Sequence, residues 1–127
     1  MFTDAELRYL RENRLLGRLA TVGPDGMPHV APVGWRLGTG TGGEPDAIIV
    51  GGRDFAATKK FRDVAATGRA AIVIDDVLPP WQPRGIEVRG TAEAVPGDEP
   101  HIRIRPARIV SWGLDGGRSA RTVRSGG

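Results

Sequence analysis

The sequence predicts a mainly β domain, with about six antiparallel strands packed as a small barrel and helices at its rim. Segments that are continuously apolar, or that alternate apolar with polar residues, recur along the chain, and glycine- and proline-rich turns separate them. One segment between two of these strands has helical periodicity instead. At 127 residues, the chain is the size of one domain with one hydrophobic core.

The first predicted elements are a helix and a β-hairpin. Thr3 and Glu6 form an S/T-x-x-E capping box, and the apolar spacing after it predicts a helix over 4–16 that ends at Gly17. The strands "RLATV" and "HVAPVGW" flank "GPDGMP". That Pro-Asp-Gly order predicts a tight turn in which Gly26 takes a positive φ.

The middle of the chain contains a loop, two strands and a second helix. "LGTGTGGEPD" predicts a flexible connection, and "AIIVGG" predicts the third strand. An apolar stripe predicts a short helix that ends at Gly68, and it consists of Ala57, Phe61, Val64 and Ala65. "RAAIVID" is continuously apolar, which predicts a strand covered on both faces.

The last third of the chain predicts two strands and a tail. The three prolines of "VLPPWQPR" interrupt the preceding strand, and "GIEVRGTAEAV" alternates as a half-buried strand does. "HIRIRPARIVSW" also alternates, with a pause at Pro106. We therefore predict a domain over residues 1–113 and a mobile C-terminal tail over 114–127.

Composition excludes several classes of function. The chain has no cysteine, which rules out disulfides and cysteine-based metal sites, and its histidines, His29 and His101, are far apart in sequence. We expect no metal site. The N-terminal segment lacks a signal-peptide pattern, and no run approaches the roughly 20 apolar residues of a membrane span, so we expect a cytoplasmic protein. A net charge of +3 is too small to indicate nucleic-acid binding.

The start of the second helix is a candidate anion site. Unpaired backbone N–H groups and the helix dipole favour an anion at a helix N-terminus. The hydroxyl of Thr58 and the ammonium groups of Lys59 and Lys60 would complete a phosphate cradle there. Lysine at this end of a helix opposes the dipole by up to about 1 kcal/mol, which hints at function. The alternative is an ordinary solvated helix face.

Two tryptophans are candidate ligand contacts. Trp112 ends a strand and is followed by glycine, so it either caps the core or forms a stacking wall for a planar ligand. Trp81 lies in "PPWQP", where stiff prolines hold its ring against a partner subunit or a ligand. The sequence offers no nucleophile elbow, dinucleotide-binding G-x-G-x-x-G or Walker motif, which argues against hydrolase, Rossmann and P-loop sites.

In order and spacing, three segments make the chain resemble the pyridoxamine 5'-phosphate oxidase-like split β-barrel family. They are "GRLATVGPDGMPHVAPVGW", similar to the first hairpin of the family; "TKKFRDVAATGRAAIVID", similar to its Ser-Arg-Lys helix start and the strand after it; and "RIRPARIVSWG", similar to its ending. The resemblance covers roughly residues 4–113. It implies an FMN-binding-like split barrel that forms a homodimer, with the cofactor at the subunit interface.

The resemblance also implies roles for particular residues. Thr58, Lys59 and Lys60 match the residues that hold the cofactor phosphate, Arg36 matches a basic residue that reaches it, and Trp112 matches the tryptophan beside the flavin ring. The segment from His29 to Val33 would run along that ring. The predicted cofactor-binding residues are His29, Val30, Ala31, Pro32, Val33, Arg36, Arg53, Thr58, Lys59, Lys60, Trp81 and Trp112, and Arg118 is the predicted substrate-binding residue.

Two departures separate the chain from true pyridoxamine phosphate oxidases. Ala120 stands where those enzymes carry a substrate-binding histidine, and "PGDEP" replaces a long helical insertion. The chain is most similar to the subgroup that uses the deazaflavin coenzyme F420 to transfer a hydride to an activated double bond. The alternatives are an FMN-binding flavoprotein and a non-catalytic cofactor-binding module, such as a heme binder.

Overall fold

The computed structural model describes residues 1–115 and 117–123, which form one curled sheet and two helices. The helices are α1 (Asp4–Glu12) and α2 (Lys59–Thr67), and a 3₁₀ turn (Phe55–Ala57) precedes α2. The strands are β1 (Gly17–Val22), β2 (Pro28–Val33), β3 (Trp35–Thr39), β4 (Pro45–Gly51), β5 (Arg69–Leu78), β6 (Gln82–Val95), β7 (His101–Leu114) and β8 (Gly117–Thr122). The mainly β class is confirmed, with eight strands among these residues rather than about six.

The sheet closes on itself as a split barrel. Its strand order is β2-β1-β5-β6-β7-β4-β3, with β8 paired to β7. β2 and β3 therefore lie at opposite ends of the order, although only Gly34 separates them in sequence, and the sheet must curl to bring them together. The inward face carries fully buried branched side chains, among them Ile48, Ile72, Ile86 and Ile104. Neither described helix is long and apolar enough to cross a membrane.

Three local predictions are confirmed. The Thr3 hydroxyl accepts from the Glu6 N–H at 3.1 Å, and the Glu6 carboxylate accepts from the Thr3 N–H at 2.9 Å, which is the predicted capping box. Gly26 has φ 79° in the first hairpin turn. Gly68 has φ 70° and ends α2, whose last bond runs from its N–H to the Val64 carbonyl.

The first helix ends earlier than predicted. It stops at Glu12 rather than at residue 16, and Asn13 is extended, with φ −124° and ψ 116°. The Asn13 side-chain amide donates to the Tyr9 carbonyl at 2.9 Å, and the Trp35 indole donates to the Leu15 carbonyl at 2.7 Å. These side chains satisfy carbonyls that would otherwise need a helical or solvent partner, so the chain leaves the helix before Gly17.

Two segments predicted as interruptions are hairpins. "LGTGTGGEPD" is not a flexible connection, because β3 and β4 enter it from both sides and the Gly40 N–H donates to the Glu44 carbonyl at 3.1 Å. Likewise, β5 and β6 pair as far as Leu78 and Gln82, which leaves only three residues in the turn within "VLPPWQPR". Prolines at such a turn interrupt no ladder hydrogen bond, so they do not end the pairing.

Two strand predictions are also corrected. β5 is buried on one face only, since Ala70, Ile72 and Ile74 point inward while the residues between them are half-buried. It lies between two antiparallel neighbours, so only one face meets the core. β7 is one unbroken strand to Leu114, and the predicted pause at Pro106 is a bulge: Pro106 pairs with Gly90 and Arg108 with Arg89, so Ala107 is an extra residue of β7.

Leu114 and residues 117–122, half of the predicted mobile tail, lie in strands instead. Residues 117–122 form β8, which pairs with β7 through Arg108↔Thr122 to Ser111↔Ser119. The alternating polar sequence gave no apolar signal for this strand, because β8 is an edge strand. Gly116 and residues 124–127 lie outside the described residues, so the prediction of mobility stands untested there.

A buried ion pair fastens β8 to α1. The Glu6 side chain is 1% exposed, accepts from the Ser111 hydroxyl at 2.7 Å, and accepts from Arg121 Nη1 at 2.9 Å. Burial alone would raise the pKa of Glu6. The bonds from Arg121, Thr3 and Ser111 outweigh burial and hold the pKa below its ordinary value.

We expect Arg121→Met to lower the free energy of unfolding by about 3 kcal/mol at pH 7, because it leaves the buried Glu6 carboxylate without a cation. Urea denaturation followed by circular dichroism measures this loss. Because the folded-state pKa of Glu6 is depressed, its stabilisation is present above about pH 4.3 and disappears as the pH falls through the folded-state pKa. The difference between wild type and variant should therefore shrink in acid.

The matched control is Arg118→Met, an exposed arginine on the same strand. It removes the same charge without uncovering a buried carboxylate, so its stability should stay within about 0.5 kcal/mol of wild type. Equal losses from the two variants would contradict the role of the Glu6–Arg121 pair.

Candidate functional site

A cavity of about 780 Å³ opens where β3 and β4 meet the 3₁₀ turn and the β6–β7 connection. Trp35 and Leu37 pack against the core, so Arg36 between them points outward, and it lines this cavity. Ile49, opposite Arg36 on β4, forms part of the floor. A volume of this order is typical of sites for cofactors and drug-sized ligands, which span roughly 300–1,000 Å³.

Glycines leave the cavity wall free of side chains. Gly34, Gly51 and Gly52 all line it. A Cβ built at Gly34 would meet no heavy atom within 4 Å, so the space beside this backbone is open. Backbone exposed in this way lets a flat ring approach closely, as glycine does at other ligand sites.

The 3₁₀ turn connects this cavity to α2. Phe55 is 2% exposed and stacks edge-on against Phe61, with ring centroids 5.9 Å apart, which anchors the turn in the core. The anchored turn presents Ala56 and Ala57 to the cavity. Thr58 follows as the N-cap of α2, and its hydroxyl accepts from the Phe61 N–H at 3.3 Å while donating to the Phe55 carbonyl at 2.7 Å.

The two predicted phosphate-binding lysines have different surroundings. The Lys59 ammonium donates to both oxygens of Asp63, at 2.9 and 3.1 Å. The Lys60 ammonium lies over the Phe55 ring, 5.4 Å from its centroid. Among the described residues, no carboxylate pairs with Lys60. Phe55 lines the cavity, whereas Lys60 itself does not, so Lys60 adjoins the cavity only through this ring.

Charges of both signs surround the cavity. Arg36 lines one wall, and Lys60 adjoins the Phe55 and Ala57 side, where Asp54 also lines the cavity. Asp98 and Glu99, in the connection before β7, line another part of the rim, where the His101 ring Nδ1 lies 2.9 Å from the Glu99 carbonyl oxygen. An anionic ligand group fits best beside Arg36, since Coulomb repulsion disfavours it beside the carboxylates.

His29 lies in the same corner of the molecule as Lys59. It pairs in register with Thr21, whose hydroxyl donates to Asp63 at 3.0 Å. The hydrogen bond from Lys59 lowers the pKa of Asp63 most, and the nearby His29 adds a smaller electrostatic effect of the same sign. His29 Nδ1 is buried and has no hydrogen-bond partner in the described part of the chain.

The other predicted residues of β2, and Arg53, do not line the cavity themselves. On β2, Val33 is buried, while Val30 and Pro32 are exposed on the outer face and Ala31 is half-buried on the inner one. The end of this strand leads directly into Gly34 at the cavity. Arg53 is exposed in the loop between Gly52 and Asp54, both of which line the cavity.

Trp112 and Arg118 form a second, separate group. Trp112 lies in β7 opposite Gly85 of β6, and this pair is on the outer face of the sheet because their neighbours Ile86 and Ser111 point inward. A Cβ at Gly85 would come within 2.8 Å of the Trp112 ring, so glycine makes the space for the indole. Arg118 lies in the neighbouring strand β8. Within one chain, neither residue lines the cavity.

Trp81 stands apart from both groups. It occupies the tip of the β5–β6 hairpin and is 75% exposed. Val77 and Leu78 beside it are also exposed, which makes this tip an unusually apolar surface.

The structure adds residues that the sequence patterns did not single out. Asp63 was not singled out from the sequence, and its side chain is 5% exposed and accepts from Lys59 and Thr21. Its i,i+4 spacing from Lys59 was the available signal. Phe55 and the glycines of the cavity wall carried no motif, and only the folded chain brings them together.

Comparisons with known proteins identify the family and relatives of the chain. The family model described as pyridoxamine 5'-phosphate oxidase matches residues 3–123. A 5a,11a-dehydrotetracycline/5a,11a-dehydrooxytetracycline reductase from Streptomyces rimosus is 44% identical over 126 aligned positions, which cover 91% of this chain and 85% of that protein.

Solved structures share the fold. A heme-binding protein from Mycobacterium smegmatis superposes with a TM-score of 0.68 at 20% identity, over 93% of this chain and 57% of that one, so this chain spans little more than half of its length. HupZ from group A Streptococcus superposes with a TM-score of 0.69 at 18% identity, over 94% of this chain and 99% of that one. An FAD-binding protein from Mesorhizobium loti superposes with a TM-score of 0.66 at 17% identity, over 94% of this chain and 95% of that one.

Proposed function

The chain belongs to the pyridoxamine 5'-phosphate oxidase family, and we propose that it is an oxidoreductase that uses reduced coenzyme F420 to reduce an activated double bond in a small organic molecule. The observation that carries this proposal is its 44% identity to a protein that is a reductase of dehydrotetracyclines. The family and the flavin-binding neighbour of the same fold support a flavin-type cofactor. The reduced deazaflavin supplies a hydride when bound, and the protein supplies orientation and a partly dry site.

The residues of the cavity fit such a cofactor. Its open glycine wall accommodates a flat ring, and Arg36 and Lys60 offer positive charge to a phosphate on the same side. The buried, unpartnered Nδ1 of His29 marks a second polar position close to the start of α2. Ala57 and Thr58 connect the glycine wall of the cavity with the start of α2. A long cofactor would therefore extend from the helix start along the glycine wall.

The relative also directs the substrate proposal. That protein is a reductase of dehydrotetracyclines, whose four fused rings carry a double bond at the 5a,11a position. We infer that this chain acts on a conjugated polycycle of the same kind. Trp112 would provide the aromatic wall against which it or the ring of the cofactor stacks, and Arg118 would provide a charged contact beside it. Ala120 on the same strand offers no acid or base.

We also propose a homodimer whose subunits share each site. Trp112 and Arg118 lie on the outer sheet face, while Arg36 and Lys60 adjoin the cavity. A partner subunit that brings its Trp112 over the cavity would unite the two groups without any rearrangement of the chain. The exposed Trp81 hairpin tip is an apolar surface that such an interface would cover.

A parallel titration tests the choice of cofactor. We expect the purified protein to bind F420 at least about tenfold more tightly than FMN, which corresponds to a difference of about 1.4 kcal/mol in binding free energy. Quenching of ligand fluorescence measures the two Kd values. Adding a dehydrotetracycline to the protein with reduced F420 should then restore the absorbance of the oxidised coenzyme. Tighter binding of FMN would transfer the proposal to an FMN-dependent flavoprotein, and tight binding of either without turnover would favour a non-catalytic module.

A further inference from the structure

The β5–β6 hairpin extends beyond the rest of the sheet as an arm. The last pair between β5 and β1 is at Ile74, and the last pair between β6 and β7 is at Gly85. In the part of the chain that the structure describes, no third strand flanks residues 77–83, "VLPPWQP", which we call the arm tip. The tip has no charged residue, and its large exposed apolar side chains are Val77, Leu78 and Trp81.

A polar network fixes the base of the arm to α1. Asp76 and Arg84 pair across the hairpin, and the Asp76 carboxylate accepts two bonds from Arg84, at 2.8 and 3.0 Å. The buried Tyr9 of α1 donates to the same carboxylate at 2.7 Å, and the Arg84 guanidinium lies 5.0 Å from the centroid of its ring. An apolar tip that is held at its base loses little conformational freedom on binding, which favours a docking role.

The register of the sheet locates the axis of the proposed homodimer. One row of paired residues crosses β2, β1, β5, β6 and β7, and it consists of Val33, Gly17, Ile74, Ile86 and Ser111. The next row contains Asp75, Gly85 and Trp112, and Gly34 lies level with it because it follows Val33. Gly34 of the cavity wall and Trp112 therefore lie two strands to either side of β5, about 10 Å each at about 4.8 Å per strand.

This symmetry of position determines where a two-fold axis can lie. A partner whose Trp112 covers Gly34, and whose own Gly34 is covered in return, is related by an axis midway between the two positions. That axis runs along β5, between the two outer sheet faces. Each β5 then faces its own copy, and β1 faces β6 of the partner. The arm continues β5 along the same axis, so the two arm tips come to lie side by side.

The residues that this axis brings together are complementary. The row two residues before Asp75, on the same outer face, consists of Pro32, Arg18, Val73, Glu87 and Val110. Arg18 would face the partner's Glu87, and Val73 would meet its own copy. Asp75 near the axis is already paired with Arg18 at 2.6 Å, which reduces its repulsion of the partner's Asp75. Opposite charges and apolar side chains are therefore matched across the axis.

We propose that the arm tip is a dimer clasp, in which Val77, Leu78 and Trp81 pack against the same residues of a second copy at the two-fold axis. The occupant is a second copy because the sheet face that continues the arm is complementary to itself in charge and in apolar character. The proposal rests on the proposed function in one respect, which is that Trp112 of one subunit covers the cavity of the other. It gives Trp81 a contact in the interface rather than with the cofactor.

Charge reversal tests the position of the axis. Arg18→Glu and Glu87→Arg are made in separate proteins, and each homodimer would then place like charges opposite each other twice, so we expect its Kd to rise at least about tenfold. When the two proteins are mixed, both contacts of the heterodimer join opposite charges. Native mass spectrometry should find at least about 90% heterodimer, against about half for random pairing. Asp4→Arg mixed with Arg11→Glu, exposed sites on α1, is the control pair and should mix at random.

Cross-linking tests the contact between the tips. The chain has no cysteine, so Gln82→Cys places a single thiol per subunit in the arm tip. A bismaleimide that spans about 10 Å, the spacing of two packed sheets, should join the two subunits. Gly42→Cys, in the exposed β3–β4 turn far from the axis, should not be joined. Trp81→Ser should raise the Kd of the dimer at least about tenfold without loss of folding, because this side chain is exposed in the single chain.

The oligomeric state of the wild-type protein separates this inference from the proposed function. If wild type dimerises, but the charge-reversed proteins mix at random or the tips do not cross-link, the clasp is wrong and the proposed homodimer stands. If wild type stays monomeric in sedimentation velocity at every concentration, the clasp and the homodimer are both overturned. None of these measurements needs the cofactor, so the titration with F420 and FMN decides the reductase proposal independently.

Discussion

Gly90→Ala is expected to lower the free energy of unfolding by about 4 kcal/mol and to remove cofactor binding with it. A Cβ at this position would lie 1.9 Å from the Arg105 carbonyl oxygen and 2.8 Å from its carbonyl carbon. Both atoms belong to the backbone, so no side-chain rotation relieves the overlap. The two longest strands, β6 and β7, would have to move apart at Gly90, where they pair.

The effect reaches the cavity because Gly90 of β6 pairs with Pro106, next to the bulge at Ala107 of β7. The bulge lies between the half of β7 that pairs with β8 and the half, from His101 to Ile104, that pairs with β4. Strand β4 supplies Ile49 and Gly51 to the cavity. A shift of β7 at the bulge would therefore move the wall that carries these residues.

Urea denaturation and F420 titration together measure this prediction. Gly42→Ala is the control, since its Cβ would meet nothing within 4 Å and it lies in the exposed β3–β4 turn. We expect that variant to keep its stability within about 0.5 kcal/mol. A Gly90→Ala protein as stable as Gly42→Ala would show that β6 and β7 do not approach as closely as the structure has them.

The elements that sequence predicted well are those specified by a few adjacent residues. The capping box of Thr3 and Glu6, the positive φ of Gly26 and the helix end at Gly68 each follow from local backbone geometry, and all three are confirmed. The errors concern contacts between distant segments. Strand β8 is polar at alternate positions on an edge, and its place depends on Arg121 reaching Glu6, 115 residues earlier in the chain.

The candidate site shows the same limit. A helix start with two lysines was visible in sequence, but whether each cation is free depends on the burial of Asp63 and on where Phe55 lies. Sequence similarity also assigned Trp112 to the same cofactor as the phosphate-binding residues, whereas the folded chain holds it on the outer sheet face opposite Gly85. The proposed homodimer would account for that grouping, because it would bring Trp112 of one subunit to the cavity of the other.

Co-expression of two inactive variants is expected to restore about a quarter of wild-type reductase activity if each site takes its cavity from one subunit and its Trp112 from the other. The variants are Lys60→Met and Trp112→Leu. Each alone should lose at least about tenfold in activity, since each removes a contact worth 1.4 kcal/mol or more. Random pairing makes about half of the dimers mixed, and each mixed dimer then contains one site with both defects and one site with none.

The control pair is Lys60→Met with Arg36→Met, both from the cavity side of the site. Every mixed dimer of that pair carries a defect in each of its sites, so no activity should return. This difference tests the position of Trp112 rather than its importance, because a tryptophan that served the site of its own chain would make both pairs equally inactive. Restoration by the first pair alone requires that Trp112 cross the interface, which accounts for its place on the outer face and for the glycine at position 85 that accommodates it.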